Sequence, residues 1–447
     1  MLKNPWLGVA ILVPTLLGML FVVRALRARF ALHPEVSRKA AHVGLGLGVL
    51  TFPFLFDDVW PVLIIGGATI AVLAILRWTP LGRTMLGGVV HGVQRRSGGD
   101  FYFPIAATGL YVLTSGDAVL FGIPILTLAL ADAVAAVVGV HYGRMRYATD
   151  ETASYKSLEG SVAFFTVAFL ATHIPLLVFT TTGRLESVLI GLIFGMIVML
   201  LEAVALRGTD NLLIPFGGYL LLAGLLQKPA RHLALALLVT LLLLVLVVGL
   251  RRRRTLSDSA VIAAVLFGFA CWAVGGWRWL VPPVALFLSY TVLWPRRRLI
   301  RQRPHDLVAV AAVFSSALLW LLLAFVLERP DLLYPFTISV AAHLCFVGIT
   351  WYRLAKPRLH PIVQVAASAV VAWLAIFPLY VVVVGRERGI PTAGAALLWL
   401  VVGGIAFVAA IPANTAPGAQ HPWMRQSLLG LAVSLPGLML LPALWLR

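Results

Sequence analysis

The sequence predicts an all-α protein, a polytopic transmembrane helical bundle of about sixteen spans. Apolar runs of about 18 residues or more recur from one end of the chain to the other, the length that a helix needs to cross a bilayer. Of the 447 residues, 61% are hydrophobic and only 12% are charged, and the mean hydropathy is +0.98. Because a soluble domain is roughly half apolar and a quarter charged, a soluble protein is excluded.

Sixteen apolar segments can be delimited in order along the chain. They are residues 5–23, 40–56, 59–76, 102–115, 118–140, 161–182, 185–206, 212–226, 233–250, 257–275, 279–294, 306–327, 333–351, 361–384, 393–411 and 427–446. The first could be taken for a signal peptide. Its positive charges follow the apolar run and no A-x-A cleavage site is present, so we interpret it as a retained span.

The distribution of Lys and Arg predicts the orientation of the chain. With the N-terminus outside, the inner loops hold 26 of the 35 Lys and Arg residues and the outer loops hold 9. Positive residues concentrate on the cytoplasmic side, so we expect the N-terminus and the C-terminus both outside. The net charge of +18 then reflects orientation and contact with anionic headgroups rather than nucleic-acid binding. Cys271 and Cys345 lie in apolar segments, and no disulfide is implied.

The most informative stretch is Leu128–Ser161. Asp132 lies deep in an apolar segment, where a carboxylate costs about 2.5–3.5 kcal/mol on insertion scales and is a functional candidate. Gly139 and Gly143 follow on the same helical face and leave room for a ligand or another backbone. The polar loop and the next helix start carry candidates for phosphate binding and capping, which are Lys156, Ser157, Glu159, Gly160 and Ser161. The alternative is a packing groove with a buried, paired aspartate.

Two polar stretches precede this one. In HPEVSRKAAH, Arg38, Lys39 and His42 lie at the cytoplasmic mouth of the second segment and could bind phosphates, with His42 or one of the carboxylates as the general base. Snorkelling anchors would explain the two cations but not His42. In RRSGGDFYFP, Arg96 is suited to clamping phosphate oxygens, although an aromatic interfacial belt gives the same pattern.

A fourth polar stretch, EAVALRGTDNLLIP, carries Glu202 one turn inside the membrane and then Asp210 and Asn211 at the next helix start. Alone, Asp210 would be a helix cap. With Asp132 and Glu159, Glu202 and Asp210 place four acids on one side of the bilayer near cations. These four are the predicted ligands of Mg²⁺ bound with a nucleoside triphosphate. The P-loop, the soluble kinase motifs, G-x-S-x-G and H-E-x-x-H are all missing from the sequence.

The polar stretches resemble, in order, the motifs of the phytol kinase and dolichol kinase family, within a wider CTP-using cytidylyltransferase-like superfamily. The matching segments are SRKAAHVGLGLG, RRSGGDFYFPIA, LADAVAAVVGVHYGR, YKSLEGS and RGTDNLLIP. The resemblance implies Mg²⁺-dependent transfer of the γ-phosphoryl of CTP to a lipid alcohol, an isoprenoid such as phytol or a polyprenol. It implies a CTP–metal site at Asp132, Lys156, Ser157, Glu159, Gly160, Glu202, Asp210 and Asn211, with Arg38, Lys39 and His42 nearby.

Two alternative functions stay open. Phosphatidate cytidylyltransferases of the same superfamily typically carry S-P-K-K-T-x-E-G and H-G-G-x-x-D-R-x-D, where this chain has YKSLEGS and GTDNLLIP, so both departures favour the kinase. The Ala131-Asp132 pair is a mild departure from the Gly-Asp of many relatives. A transporter or scaffold with ion-carrying acids would need acids across the whole bilayer, and the outer half has only rim residues such as Asp57, Asp58 and Asp117.

The chain divides near Gln227–Arg231, because after this point no Asp or Glu lies in the interior of an apolar segment. Asp258 and Asp306 stand at helix starts, and we interpret His343 as a packing histidine. We predict a kinase-like catalytic membrane domain over residues 1–228 and an additional membrane domain over residues 229–447, which weakly resembles a phytyl-phosphate kinase without its acids. The expected partners are membrane lipids, the lipid alcohol and the nucleotide. The expected location is a bacterial inner or plasma membrane, with the site on the cytoplasmic side.

Overall fold

The computed structural model describes residues 5–30, 34–78, 98–148, 155–206, 208–249, 257–293, 307–411 and 421–440. Within these ranges, nine helices are long and apolar enough to span a membrane, and three shorter apolar helices accompany them. The protein is therefore an all-α polytopic membrane protein. A helix lies in each of the sixteen predicted segments. The number of helices that cross the bilayer and the side on which the termini lie stay predictions.

The chain forms two compact units, Met1–Leu238 and Val239–Arg447. The predicted boundary, at residues 228–229, precedes this division. The helices up to this division are α1 (Pro5–Phe30), α2 (Pro34–Val49), α3 (Phe52–Leu55), α4 (Trp60–Trp78), α5 (Gly99–Thr114), α6 (Ala118–Tyr142), α7 (Leu158–Phe179), α8 (Arg184–Val204), α9 (Asp210–Leu226) and α10 (Ala230–Gly249), which runs through it.

Helix α6 organises the first unit, where it packs against α2, α7 and α9. Its start is capped by Asp117, whose carboxylate accepts the N–H groups of Val119 and Leu120 at 2.9 and 2.7 Å. Small residues allow the neighbouring helices to approach closely. A Cβ atom on Gly46 of α2 would lie 2.5 Å from the Cβ of Ala129, and one on Gly160 of α7 would lie 2.9 Å from the carbonyl oxygen of Ala135.

The polar loop between α6 and α7 contains a feature that the all-α prediction lacks. Strands β1 (Arg146–Ala148) and β2 (Tyr155–Ser157) pair antiparallel, with Tyr147 opposite Lys156. Each strand has three residues, fewer than the roughly four to eight over which alternation can be recognised in a sequence. The pairing therefore depends on the closing of the loop rather than on a pattern within either strand.

The second unit is built around α14. The helices after α10 are α11 (Asp258–Gly275), α12 (Trp277–Leu293), α13 (Leu307–Val326), α14 (Leu333–Ala355), α15 (Pro361–Val384), α16 (Arg386–Ala410) and α17 (His421–Ser434), with 3₁₀ turns at Pro330–Leu332 and Leu435–Leu440. Nearly every residue of α14 from Leu333 to Ile349 is buried, as expected for a helix that is apolar on all faces. Asp258 begins α11, capped by Ser257, and Asp306 lies outside the described residues.

Candidate active site

A buried ion pair joins α2 to α6. The Nζ of Lys39 donates a hydrogen bond to Oδ2 of Asp132, and the two side chains are only 7% and 10% exposed. A charge in such a low-dielectric place is tolerated only when it is paired, and removal of one partner is strongly destabilising. The deep aspartate that the sequence singled out is therefore a paired one, and its partner comes from a different polar stretch.

A second ion pair joins the hairpin to α8. Lys156, on β2, donates to Oε1 of Glu202 at 2.5 Å and also to the backbone carbonyl of Glu202. The side chains are 23% and 12% exposed, so this pair is more accessible than the first. Glu202 lies in the last turn of α8, where free carbonyl groups and the helix dipole favour a cation.

Asp210 lies within electrostatic reach of both pairs. It is the first residue of α9 and interacts electrostatically with Asp132, Lys156 and Lys39. Glu202 likewise interacts with Asp132 and Asp210. Five elements of the first unit thus bring Lys39, Asp132, Lys156, Glu202 and Asp210 together, and these five residues are called the charge cluster below. Asp210 is not the N-cap of its helix, because Thr209 occupies that position.

His42 lies beside the charge cluster, one turn along α2 from Lys39. Its ring meets that of Phe103 edge-on, with the centroids 5.0 Å apart, and it interacts electrostatically with Asp132 and Arg38. The Nε2 atom is buried and has no hydrogen-bond partner among the residues that the structure describes. A buried polar atom without a protein partner is unusual and is commonly completed by water or a ligand. Arg38 is exposed and interacts electrostatically with Asp132.

The small residues of α6 receive the first turn of α7. Ser157 is the N-cap of α7: its Oγ accepts the N–H of Gly160 at 3.1 Å. A Cβ on Gly139 would lie 3.1 Å from this Oγ, and one on Gly143 would lie 2.8 Å from the Cβ of Ser157. The sequence predicted that this face would leave room for a ligand or for another backbone. In the structure, the start of α7 packs there. Ser161 completes the turn, with its Oγ donating to the Ser157 carbonyl at 3.2 Å.

The side chains of two other predicted site residues bond to groups outside the charge cluster, and a third residue lies outside the described ranges. Both carboxylate oxygens of Glu159 accept the backbone N–H of Met145, at 3.1 and 3.3 Å. The Nδ2 of Asn211 donates to the carbonyl of Gly99 at 3.0 Å, which ties the start of α9 to the start of α5. Arg96 lies outside the residues that the structure describes, so its role in phosphate binding stays a prediction.

Comparison with known proteins identifies the family. Over 223 residues the chain is 31% identical to a phytol kinase from Synechocystis sp., and the alignment covers 48% of this chain and 90% of that relative. The chain belongs to the phytol kinase family. No family model and no solved structure matches the chain. The similarity to the phytol kinase relative therefore extends over about half of the chain.

Family membership does not itself supply a metal site, and the four predicted ligands have different surroundings. Asp132 and Glu202 are paired with lysines, while Glu159 accepts a backbone N–H. Within the described part of the chain, no group of three or more His, Cys, Asp or Glu side chains could hold a metal ion. Mg²⁺ usually takes one or two carboxylates together with phosphate oxygens, so the charge cluster fits a metal that arrives with a phosphate rather than one held by protein alone.

Two residues near the site were not predicted from the sequence. The hydroxyl groups of Tyr147 and Ser161 are hydrogen-bonded at 2.8 Å, and Phe103 packs against His42. Phe103 belongs to the aromatic stretch that the sequence analysis could also explain as a belt at the membrane interface. Tyr147 gives no signal of its own, because only the register of the hairpin places it opposite Lys156.

Proposed function

We propose that this member of the phytol kinase family is a membrane-embedded kinase that transfers the γ-phosphoryl of CTP to an isoprenoid alcohol in a Mg²⁺-dependent reaction. The observation that carries the proposal is the charge cluster, in which two lysine–carboxylate pairs and Asp210 from five separate elements interact in one place. Buried charges are costly, so a membrane protein keeps such a set where its chemistry needs it.

The lysines are the proposed phosphate ligands. Lys39 and Lys156 each hold a carboxylate in the structure described, and a triphosphate offers both of them an alternative anionic partner. The exchange would free Asp132 and Glu202, next to Asp210, to face the metal. Mg²⁺, when bound there, would neutralise charge on the phosphate oxygens. Phosphoryl transfer needs little more from a protein than positioning and charge compensation, which these residues supply.

His42 is the proposed proton acceptor. The hydroxyl oxygen of the alcohol attacks the γ-phosphorus, the bond to the β–γ bridging oxygen breaks, and CDP leaves. The hydroxyl proton passes to Nε2 of His42, which is buried and has no hydrogen-bond partner within the described ranges. The isoprenoid tail can stay in the lipid between the helices while its hydroxyl reaches the charge cluster. By the positive-inside rule, this end of the first unit faces the cytoplasm, where CTP is available.

The test is to incubate the purified protein in lipid with γ-labelled CTP, ATP or GTP and phytol, a polyprenol, diacylglycerol or phosphatidate. We expect label in the isoprenoid product with CTP, and a loss of about 100-fold in kcat/KM in Lys156→Met. Lys228→Met is the matched control, because Lys228 is an exposed lysine of the first unit. The activity of this variant should equal that of the wild type.

Two outcomes would overturn the proposal. Transfer of the cytidine moiety to phosphatidate with release of pyrophosphate would identify a phosphatidate cytidylyltransferase instead. Failure to consume any of the three nucleotides, by protein that is folded as judged by a cooperative thermal transition, would favour a transporter or scaffold.

A further inference from the structure

The hairpin that carries Lys156 is attached to the start of α7 by two side chains. We propose that Glu159 and Tyr147 are positioning residues that hold Lys156 in place against Glu202, and that Glu159 is not a ligand of the metal. The inference rests on the proposed function, because it concerns how the phosphate-binding lysine is presented. It replaces the role that the family resemblance implies for Glu159.

Glu159 fixes the beginning of the hairpin. Its carboxylate accepts the N–H of Met145, and the N–H of Leu158 donates to the carbonyl of Met145 at 2.8 Å. Met145, the residue before β1, is therefore held at both of its backbone polar groups by the first residues of α7. Glu159 also interacts electrostatically with Arg144. The partners of its carboxylate thus lie at the hairpin, whereas Asp132, Glu202 and Asp210 interact with the lysines of the charge cluster.

Tyr147 fixes the hairpin one step further along. It lies directly opposite Lys156, and its hydroxyl is 2.8 Å from the Oγ of Ser161 in α7. Residues that lie opposite each other in an antiparallel pair project from the same face. One face of the hairpin therefore makes two attachments, through Tyr147 to α7 and through Lys156 to Glu202 of α8.

This attachment matters because a lysine side chain is long and flexible. Its Nζ is placed within reach of Glu202 only if the backbone of β2 is fixed, and β2 is a strand of three residues in a loop. A misplacement of about 1 Å in a group that binds the reacting phosphate can cost about 100-fold in rate. Loss of the Glu159 contact or of the Tyr147 contact should therefore act through Lys156 rather than on the metal.

The first test is kinetic and uses Glu159→Ala, Glu159→Gln and Tyr147→Phe in the full chain. Glu159→Gln keeps a carbonyl oxygen that can accept the Met145 N–H, so it should keep most of the activity, whereas Glu159→Ala should lose about 10- to 100-fold in kcat/KM for CTP. Glu159→Ala should have no further effect in a Lys156→Met background. The matched control is Glu186→Gln, since Glu186 is the first-turn acid of α8, and its kinetics should be those of the wild type.

The Mg²⁺ concentration for half-maximal activity separates positioning from metal binding. It should be unchanged in Glu159→Ala and Glu159→Gln. An increase in both variants, or an additive loss in the Lys156→Met background, would overturn the proposal.

A second test does not depend on the reaction catalysed. Arg144 and Arg146 are exposed at the start of the hairpin, so the rate of limited trypsin cleavage there reports how firmly the hairpin is held. Cleavage should be faster in Glu159→Ala and Tyr147→Phe, and unchanged in Glu159→Gln. If the protein transfers no phosphoryl group but cleavage follows this pattern, the proposed function fails and the attachment of the hairpin stands. Equal cleavage rates in all variants would overturn the attachment itself.

Discussion

The two units of this protein bury different kinds of polar group. In the first, two ion pairs join distant elements: Lys39–Asp132, which is buried, and Lys156–Glu202, which is partly buried. In the second, the buried side-chain contacts between helices that the structure describes are neutral. Ser316 and Ser339 are 2.7 Å apart at their Oγ atoms, and Nε2 of His343 lies 3.2 Å from Ser316. Both units are helical bundles, so the difference lies in their chemistry rather than in their architecture.

The ion pair that the structure describes in the second unit is of a different kind. Arg329 and Asp331 are two residues apart at a helix start, and their side chains are 42% and 8% exposed. A pair between near neighbours in sequence, with its cation in contact with solvent, contributes little. Buried pairs between separate helices carry a desolvation penalty that neutral hydrogen bonds avoid. We therefore propose that the chemistry lies in the first unit and that the polar groups described in the second unit have structural roles.

The largest effect is expected when the deepest pair is broken. Asp132→Leu should abolish phosphoryl transfer and should lower the free energy of unfolding by about 3–5 kcal/mol, because Lys39 stays charged and buried. The double variant Lys39→Met/Asp132→Leu should recover most of that stability and none of the activity. Thermal unfolding in detergent and the labelled-CTP assay measure the two quantities. An active double variant would show that the pair is structural, and the proposed difference in role between the two units would be wrong for this pair.

A smaller effect is expected where α7 meets α6. Gly160→Ala places a Cβ 2.9 Å from the Ala135 carbonyl oxygen, so the helices must separate, at a cost of about 1–3 kcal/mol. Activity should fall several-fold, because Lys156 lies on β2, just before this turn. Gly67→Ala in α4 is the control: among the described residues, no atom beyond its own helix turn lies within 4 Å of the added Cβ. This variant should be neutral or stabilising by up to about 1 kcal/mol. Equal melting temperatures for the two variants would contradict this close approach.

The smallest effect on activity is expected in the second unit. Ser316→Ala removes the hydrogen-bond partner that Ser339 and His343 share, which should cost about 1–3 kcal/mol of stability. The kcat/KM for CTP should not change at temperatures where the variant is folded. A loss of activity comparable to that of Asp132→Leu would contradict this expectation and would show that the second unit takes part in the reaction.

The sequence predicted the membrane class, the helix in each of the sixteen apolar segments, and the polar stretches from which the charge cluster is drawn. These features follow from local composition, because hydropathy summed over one helix decides whether that helix lies in lipid. The resemblance to phytol kinases was likewise visible in the order of short motifs, and the comparison with the Synechocystis protein confirms the family.

Tertiary structure alone decided which charges meet. Lys39 and Asp132 are 93 residues apart in sequence, and Lys156 and Glu202 are 46 apart, so their pairing is set by how α2, α6, α8 and the hairpin pack. The same packing turned the glycine face of α6 toward Ser157 and directed Glu159 to the backbone of Met145. A sequence pattern records which residues are polar at which depth. The partner of each charge depends on contacts between distant segments, which no local period encodes.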